Sequence, residues 1–252
     1  MKKWTQLFFS NIGKRTENQD FISIVSSKKS KRIIDIVIVC DGVGGRPNGH
    51  ECSNTVGKEV LKRVSGYLKK RKSKSCLNEN DLNALKGILS KLSRLNASPL
   101  SRTTLALVLV DRKKNKNGYS CIALWAGDSR IYAIEAEGHA FQISSDQYNE
   151  EGYISVLFSG DGNLIGEMGS KYICLNDPLL ICATTDGMNC QLNGLYKYLV
   201  ACLYSGIQDN KAFEKTTTKF LGSLVSDNYS AALLYKMHSV GVIKKAYKKI
   251  SM

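Results

Sequence analysis

Five aspartates stand where a chain could present negative charge beside bare backbone. Asp41 closes the run RIIDIVIVCDGVGG (Arg32 to Gly45), branched apolar residues that end in an acid and a glycine-rich turn. Asp186 repeats the pattern after LLICATT (Leu179 to Thr185). Asp128 lies in the Gly127-Asp128-Ser129 turn after YSCIALWA, Asp227 comes just before YSAALLYKM, and Asp20 immediately precedes the short run Phe21 to Val25. Gathering such carboxylates is costly, because like charges oppose one another's ionisation. Divalent cations would supply the counter-charge, and an oxygen-only ligand set points to magnesium or manganese. Two such ions suit phosphoryl chemistry: they acidify a bound water and clamp the phosphate, at a separation of about 3.5–4 Å in known sites. Phosphate monoester hydrolysis needs accelerations of up to ~10²¹. A single acid–base pair supplies about 10²–10⁴, so a metal centre is the stronger device. Asp-Gly alone is also an ordinary hairpin turn. Asp161-Gly162 illustrates that, with no buried strand before it.

The elements that must position these acids follow from periodicity. Ile33 to Val39 are stiff, β-prone residues, and a run this short and apolar reads as a strand buried on both faces. Thr5 to Ser10 reads as a first strand, and Arg15 and Asp20 bracket a turn that feeds a second. Val56, Val60, Leu61, Val64 and Leu68 mark one helix between Ser53 and Leu68. Leu82, Leu85, Ile88, Leu89, Leu92 and Leu95 mark another from Asp81 to Leu95, with Asn80 or Asp81 as its cap. Thr103 to Val110, Tyr119 to Ala126, Arg130 to Ile134 and Ala140 to Ile143 read as an antiparallel meander with tight connections. Asp146 to Ser170 is glycine-bearing and irregular, the kind of loop that contacts substrate. After the Leu179 to Thr185 strand come two helices, one carrying Leu192, Leu195, Leu199, Val200 and Leu203, the other from Asp209 to Leu224. A last strand spans Tyr229 to Met237. Strands and helices are segregated, so the class is α+β: two antiparallel sheets packed as a sandwich, each covered by a helix pair.

The chain has 252 residues, 43% apolar and 23% charged, with 3 prolines. That composition fits one domain over residues 1–239, followed by a basic tail over 240–252. The net charge of +14 favours acidic partners. Its clusters (Lys28 to Arg32, Lys69 to Lys74, Arg112 to Lys116, Lys244 to Lys249) fall at predicted loops or ends and read as solvated surface. None has aromatic residues interleaved at stacking intervals, so no nucleic-acid partner is expected. The 8 cysteines include no C-x-x-C pair and the three histidines show no zinc spacing. Reduced thiols and a cytoplasmic location are expected. Residues 1–15 make a poor signal peptide and no window approaches the ~18 apolar residues of a spanning helix.

RTENQD, VCDGVGG, RTTLALVLV, WAGDSRIY, ISSDQ, CATTDG and DNYSAALL, in this order from about Gly13 to Tyr235, resemble the metal-dependent protein phosphatases of the PPM type, the protein phosphatase 2C-like family. Each motif is modest; the ordered set is specific. The resemblance implies a β-sandwich flanked by helix pairs, with a binuclear Mn²⁺ or Mg²⁺ site at one end. By it, Asp41 bridges both metals and the Gly42 carbonyl binds one of them. Asp186 and Asp227 complete the first, and Asp20 serves the second, partly through water. Asp128, with Asp186, matches a third-metal position of bacterial-type members. Arg15 holds the phosphate by a forked contact. The implied reaction is hydrolysis of phosphoserine or phosphothreonine by metal-activated water, without a phosphoenzyme. The implied partners are phosphorylated proteins, the targets of a serine/threonine kinase, and a monomer is expected.

Three residues depart from the pattern. Gln19 stands where many members carry Glu, which lowers the negative charge around the second metal. Val43 stands where animal members have a histidine thought to act as general acid, so leaving-group protonation falls to water. Arg102 replaces the glycine usual before the Thr-Thr pair and leaves two readings open, a packing change or an added phosphate contact. Gln19 and Arg102 are the support for a runner-up reading, a pseudophosphatase that binds phosphoprotein without cleaving it. The charge alone supports a third, nucleic-acid binding.

Overall fold

The computed structural model describes residues 3–29, 31–72, 75–189, 195–207, 209–221 and 225–251. In chain order the strands are β1 (Trp4–Asn11), β2 (Asp20–Lys29), β3 (Arg32–Asp41), β4 (Arg102–Thr103), β5 (Leu105–Asn115), β6 (Gly118–Ala126), β7 (Arg130–Glu135), β8 (Ala140–Gln142), β9 (Leu157–Ser159), β10 (Leu164–Ile165), β11 (Gly169–Leu175), β12 (Pro178–Thr184) and β13 (Tyr229–Lys236). The helices are α1 (Gly49–Lys70), α2 (Glu79–Leu89), α3 (Asp186–Asn189), α4 (Leu195–Tyr204), α5 (Asn210–Leu221) and α6 (Val240–Ser251).

Two antiparallel five-stranded sheets form the sandwich, in the orders β1-β13-β12-β7-β8 and β11-β6-β5-β3-β2. Strand β3 shows why its residues are branched on both faces. Val37 and Val39 point into the layer between the sheets, with Ala106, Val108, Ala123, Ile181, Ala183 and Ala232. The small side chains there let the sheets approach closely. Ile34, Ile36 and Ile38 point the other way, against Val56, Val60, Val64 and Leu68 of α1 and Leu85 and Leu89 of α2. The β1-β13-β12-β7-β8 sheet is covered by α4 and α5, whose Leu199, Leu203, Phe213 and Leu221 pack on Leu7, Phe9, Tyr229 and Leu233. Residues 240–251 form a helix that docks on this layer through buried Ala246, with Ile243 and Ile250 beside it. Its four lysines stay exposed.

Four details differ from the expectation. Helix α2 is capped by Asn78, not Asn80 or Asp81: the Asn78 side chain accepts from the Asn80 and Asp81 amides, and Asp81 returns the bond as the third helical residue of a capping box. The helix also stops at Leu89 rather than Leu95; Leu92 remains buried, and the Leu95 amide turns instead to the Asp161 carbonyl at 2.9 Å. The meander is broken, because β6 and β7 belong to different sheets. Gly127-Asp128-Ser129 is thus a crossover between the layers, not a hairpin turn. Residues 169–175, read as the edge of an irregular stretch, form strand β11 on β6. Leu192 and Leu224, placed on the last helices, lie outside the described residues.

Candidate active site

The acids converge because the elements share one polarity. Strands β3, β6 and β12 end, and β2, β7 and β13 begin, at the same end of the sandwich. Asp41 and Asp20 are cross-strand partners there, the last residue of β3 opposite the first of β2. The Asp41 backbone is clamped by the Thr-Thr pair. Its amide donates to Thr104 Oγ1 (2.9 Å), while its carbonyl accepts from Thr103 Oγ1 (2.8 Å) and the Thr104 amide (2.9 Å). Gly42 then passes so close to helix α1 that a Cβ would lie 2.5 Å from the Gly49 carbonyl carbon. Only glycine fits this position.

Asp20 joins the two sheets. Its Oδ2 accepts from Ser230 Oγ on β13 (2.6 Å) and Thr185 Oγ1 after β12 (3.1 Å). Its Oδ1 is buried with no hydrogen-bond partner among the described residues, a costly state for a carboxylate oxygen. Burial, offset in part by the two hydroxyls, pushes this carboxyl up to about 7. Burial and then the charges of Asp20 and Asp186 raise Asp41 well above the usual range. Burial first, and then the charge of Asp227, likewise raise Asp186. Burial also lifts Asp128 to about 6, although Tyr148 donates to its Oδ2 at 3.0 Å.

Asp227 belongs to the opposite lip. It holds Arg15 in a fork, Nε to Oδ1 at 2.8 Å and a terminal nitrogen to Oδ2 at 2.5 Å. Asn228 fixes the loop that carries this arginine. Its Oδ1 accepts from the Gln19 amide (2.9 Å), and its Nδ2 donates to the carbonyls of Ile12 (2.9 Å) and Glu17 (3.0 Å). Gly13, at φ +61°, lets the loop close against the Asp227 carbonyl, which a Cβ would meet at 2.0 Å.

The sequence profile described as Protein phosphatase 2C matches residues 9–235. The chain belongs to the protein phosphatase 2C family. A Mycoplasma genitalium relative named "Putative protein phosphatase" is 25% identical over 182 residues, 68% of this chain; the chain spans 66% of that relative's length. Solved structures share the fold at low identity. The S. agalactiae serine/threonine phosphatase gives a TM-score of 0.65 at 17% identity, over 93% of this chain and 100% of that one. Stp1 from Staphylococcus aureus gives 0.63 at 17%, over 95% and 96%. A C. elegans sex determining protein gives 0.64 at 14%, over 98% of this chain and 68% of that one.

For a protein phosphatase 2C chain, the fit of its acids to a metal centre is readable from the acids themselves. The donor set is hard carboxylate oxygen, and one buried oxygen of Asp20 has no protein partner. Burial first, and then the charges of neighbouring acids, raise the carboxyl pKa values of Asp20, Asp41, Asp128 and Asp186. These residues fit divalent cations. Among the described residues no three His, Cys, Asp or Glu side chains are already drawn around a single point. Asp20 and Asp128 here accept from hydroxyls, and Asp227 from Arg15. The three departures from the family pattern have local structures. The Gln19 side chain packs on Gly49 and donates to Glu17 at 3.3 Å. Val43 is held by its amide to the Arg102 carbonyl at 3.0 Å. The Arg102 guanidinium bonds the carbonyls of Pro99 and Ser101 in its own loop, which favours the packing reading over a phosphate contact.

Sequence reasoning did not single out Thr185, Ser230, Asn228 or Tyr148 as site residues. The first three adjoin the acids in chain order, in TTDG and DNYS, and that adjacency was the available signal. Tyr148 lies twenty residues from Asp128 in the irregular segment, and nothing local marks it.

Proposed function

We propose that this chain is a serine/threonine phosphoprotein phosphatase, a phosphoric monoester hydrolase that works with Mn²⁺ or Mg²⁺. The observation that carries the reading is the partnerless oxygen of Asp20 beside Asp41, at the end where β2, β3, β12 and β13 meet. Asp20, Asp41, Asp186, Asp227 and the Gly42 carbonyl would hold two ions, and Asp128 with Asp186 a third. Bound there, the ions supply an acidified water and neutralise phosphate charge. Asp41 keeps its direction because the Thr103 and Thr104 hydroxyls fix its backbone. Arg15, forked on Asp227, stands at the lip as the group that orients an incoming phosphate. With a valine at position 43, the leaving alcohol takes its proton from water.

The binding-only alternative rests on Gln19 and Arg102, and both are engaged in local structure. The test is hydrolysis of para-nitrophenyl phosphate and of a phosphothreonine peptide with manganese, with magnesium and with chelator. Metal-dependent release that Asp186→Asn abolishes supports the reading. Folded protein with no release in any metal, or an Asp186→Asn variant of undiminished activity, refutes it.

A further inference from the structure

The floor of the site is acidic, but one approach to it is basic. Helix α5 lies along β1. Near the helix start the Phe8 amide donates to Asn210 Oδ1 at 3.0 Å, and near its end Asn11 Nδ2 donates to Thr218 Oγ1 at 3.4 Å. Asn11 is also the cap of the Arg15 loop, since its Oδ1 accepts from the Gly13 amide at 3.0 Å. The last turn of α5 therefore stands beside the loop that carries Arg15, and the first turn points away from it. Along the exposed flank of α5, Lys211, Lys215 and Lys219 recur every fourth residue. With Asn11, Glu214 and Thr218 they line an open groove. At 1.5 Å per residue the three lysines span about 12 Å, leading toward the site. Among the described residues none of the three is in an ion pair. Like charges four apart on a helix repel, and Glu214, three residues from Lys211, is the one acid lining the groove with them. Exposed Lys14, next to Arg15, continues the positive charge to the lip.

We propose that Lys211, Lys215 and Lys219 bind acidic side chains flanking the phosphorylated residue, so that the favoured substrates are phosphosegments rich in Asp and Glu. This rests on the phosphatase reading, with the site opening at Arg15. The groove reaches Asn11, which caps the Arg15 loop, its lysines complement such a segment, and its length matches about four extended residues.

The test uses two fluorescent peptides carrying a non-hydrolysable phosphonate mimic of phosphothreonine, one flanked by glutamates and one by glutamines. Binding is followed by anisotropy at low salt with manganese present. Wild type is expected to prefer the glutamate peptide about tenfold, three exposed ion pairs each contributing a factor of about two to three, with the preference shrinking as salt rises. The triple variant Lys211→Glu, Lys215→Glu, Lys219→Glu is expected to lose it, and a Lys→Gln triple at the same positions serves if the first fails to fold. A control triple, Lys244→Glu, Lys245→Glu, Lys248→Glu, makes the same charge change on α6. That helix packs near Gly138, in the β7–β8 connection at the opposite end of the sandwich, and the control should keep the preference. Equal losses in both triples would assign the effect to net charge and overturn the proposal, as would a wild type that does not distinguish the peptides. Para-nitrophenyl phosphate hydrolysis by wild type tests the phosphatase reading separately, since that ester has no flanks.

Discussion

Replacing Asn228 should cost both stability and activity, by amounts that can be worked from its bonds. The side chain is buried, at 3% exposure, and makes three hydrogen bonds of 2.9, 2.9 and 3.0 Å that tie the loop over residues 12–19 to the start of β13. An ordinary buried hydrogen bond contributes about 0.5–1.5 kcal/mol net. Ile12 and Glu17 are exposed, so water can reach the two carbonyls that lose their donor, and the total for Asn228→Ala should be about 2–3 kcal/mol. In a chain of this size that is a fall in thermal midpoint of roughly 4–12 °C. Asn228→Asp is nearly isosteric but should be worse. It keeps the Gln19 bond, yet turns a carboxylate toward two carbonyls that accept only, among acids already short of counter-charge. Because the same loop holds Arg15, both variants should also lose kcat/KM toward para-nitrophenyl phosphate at 20 °C, where they remain folded, by about tenfold or more for a misplaced phosphate contact. Thermal melting and steady-state kinetics on the three proteins decide it. An Asn228→Asp protein that melts with wild type, or an Asn228→Ala protein with full kcat/KM, would show that the loop is held by something else.

Other perturbations read the rest of the structure. Asp81 is held below the usual carboxylate range: burial would raise it, but hydrogen bonds from Arg71 and Tyr67 outweigh burial. Both side chains of the Arg71–Asp81 pair are almost wholly buried. Asp81→Asn should therefore cost about 3 kcal/mol or more at pH 7, and the gap from wild type should begin to close below about pH 4, where the unfolded chain takes up the proton, and vanish only once the native carboxyl, held lower still, is protonated; a gap independent of pH refutes the assignment. Asp20 titrates near 7 in the metal-free protein, a raised value whose penalty grows as the pH rises from about 4 and is complete above 7. In chelator at pH 8, Asp20→Asn should melt above wild type, while millimolar manganese should raise the wild-type midpoint more than that of the variant; the reverse order in either condition contradicts the metal-site reading. Arg102→Gly should leave kcat/KM within about threefold, the guanidinium being committed to the Pro99 and Ser101 carbonyls; a loss of about tenfold would restore the phosphate-contact reading.

The layers and the strand ends were legible because they rest on composition and period. The two-faced burial of β3, the stripes of α1 and α2 and the placement of Asp20, Asp41, Asp128, Asp186 and Asp227 beside strands all follow from local pattern. What was hidden depends on partners far along the chain. Gly127-Asp128-Ser129 has the chemistry of a hairpin turn, and only the sheet to which β7 pairs makes it a crossover. Strand β11 emerges from the glycine-bearing stretch, and although Asn176-Asp177-Pro178 marks its end, its pairing with β6 defines it. Asn78 outcompetes Asn80 as the cap because Asp81 is needed inside the first turn to return the bond and to hold Arg71. Asn228 and Ser230 are ordinary polar residues until the first loop and Asp20 are laid against them.

Strand β1 pairs with β13 from Trp4 opposite Lys236 to Asn11 opposite Tyr229, and Arg15 is gripped by a residue 212 positions later. A ribosome delivers Arg15 212 residues before its partner. While β13 is still unmade, Asp20 and Asp41 are present but lack the hydroxyl of Ser230, the fork of Asp227 and the staple of Asn228. Strand β1 meanwhile waits as an open edge. A nascent chain of this protein therefore cannot assemble these contacts until β13 has been made. A premature stop ahead of Asp227 should leave β1 an unpaired edge, prone to aggregate, with neither the Asp227 fork nor the Asn228 bonds in place.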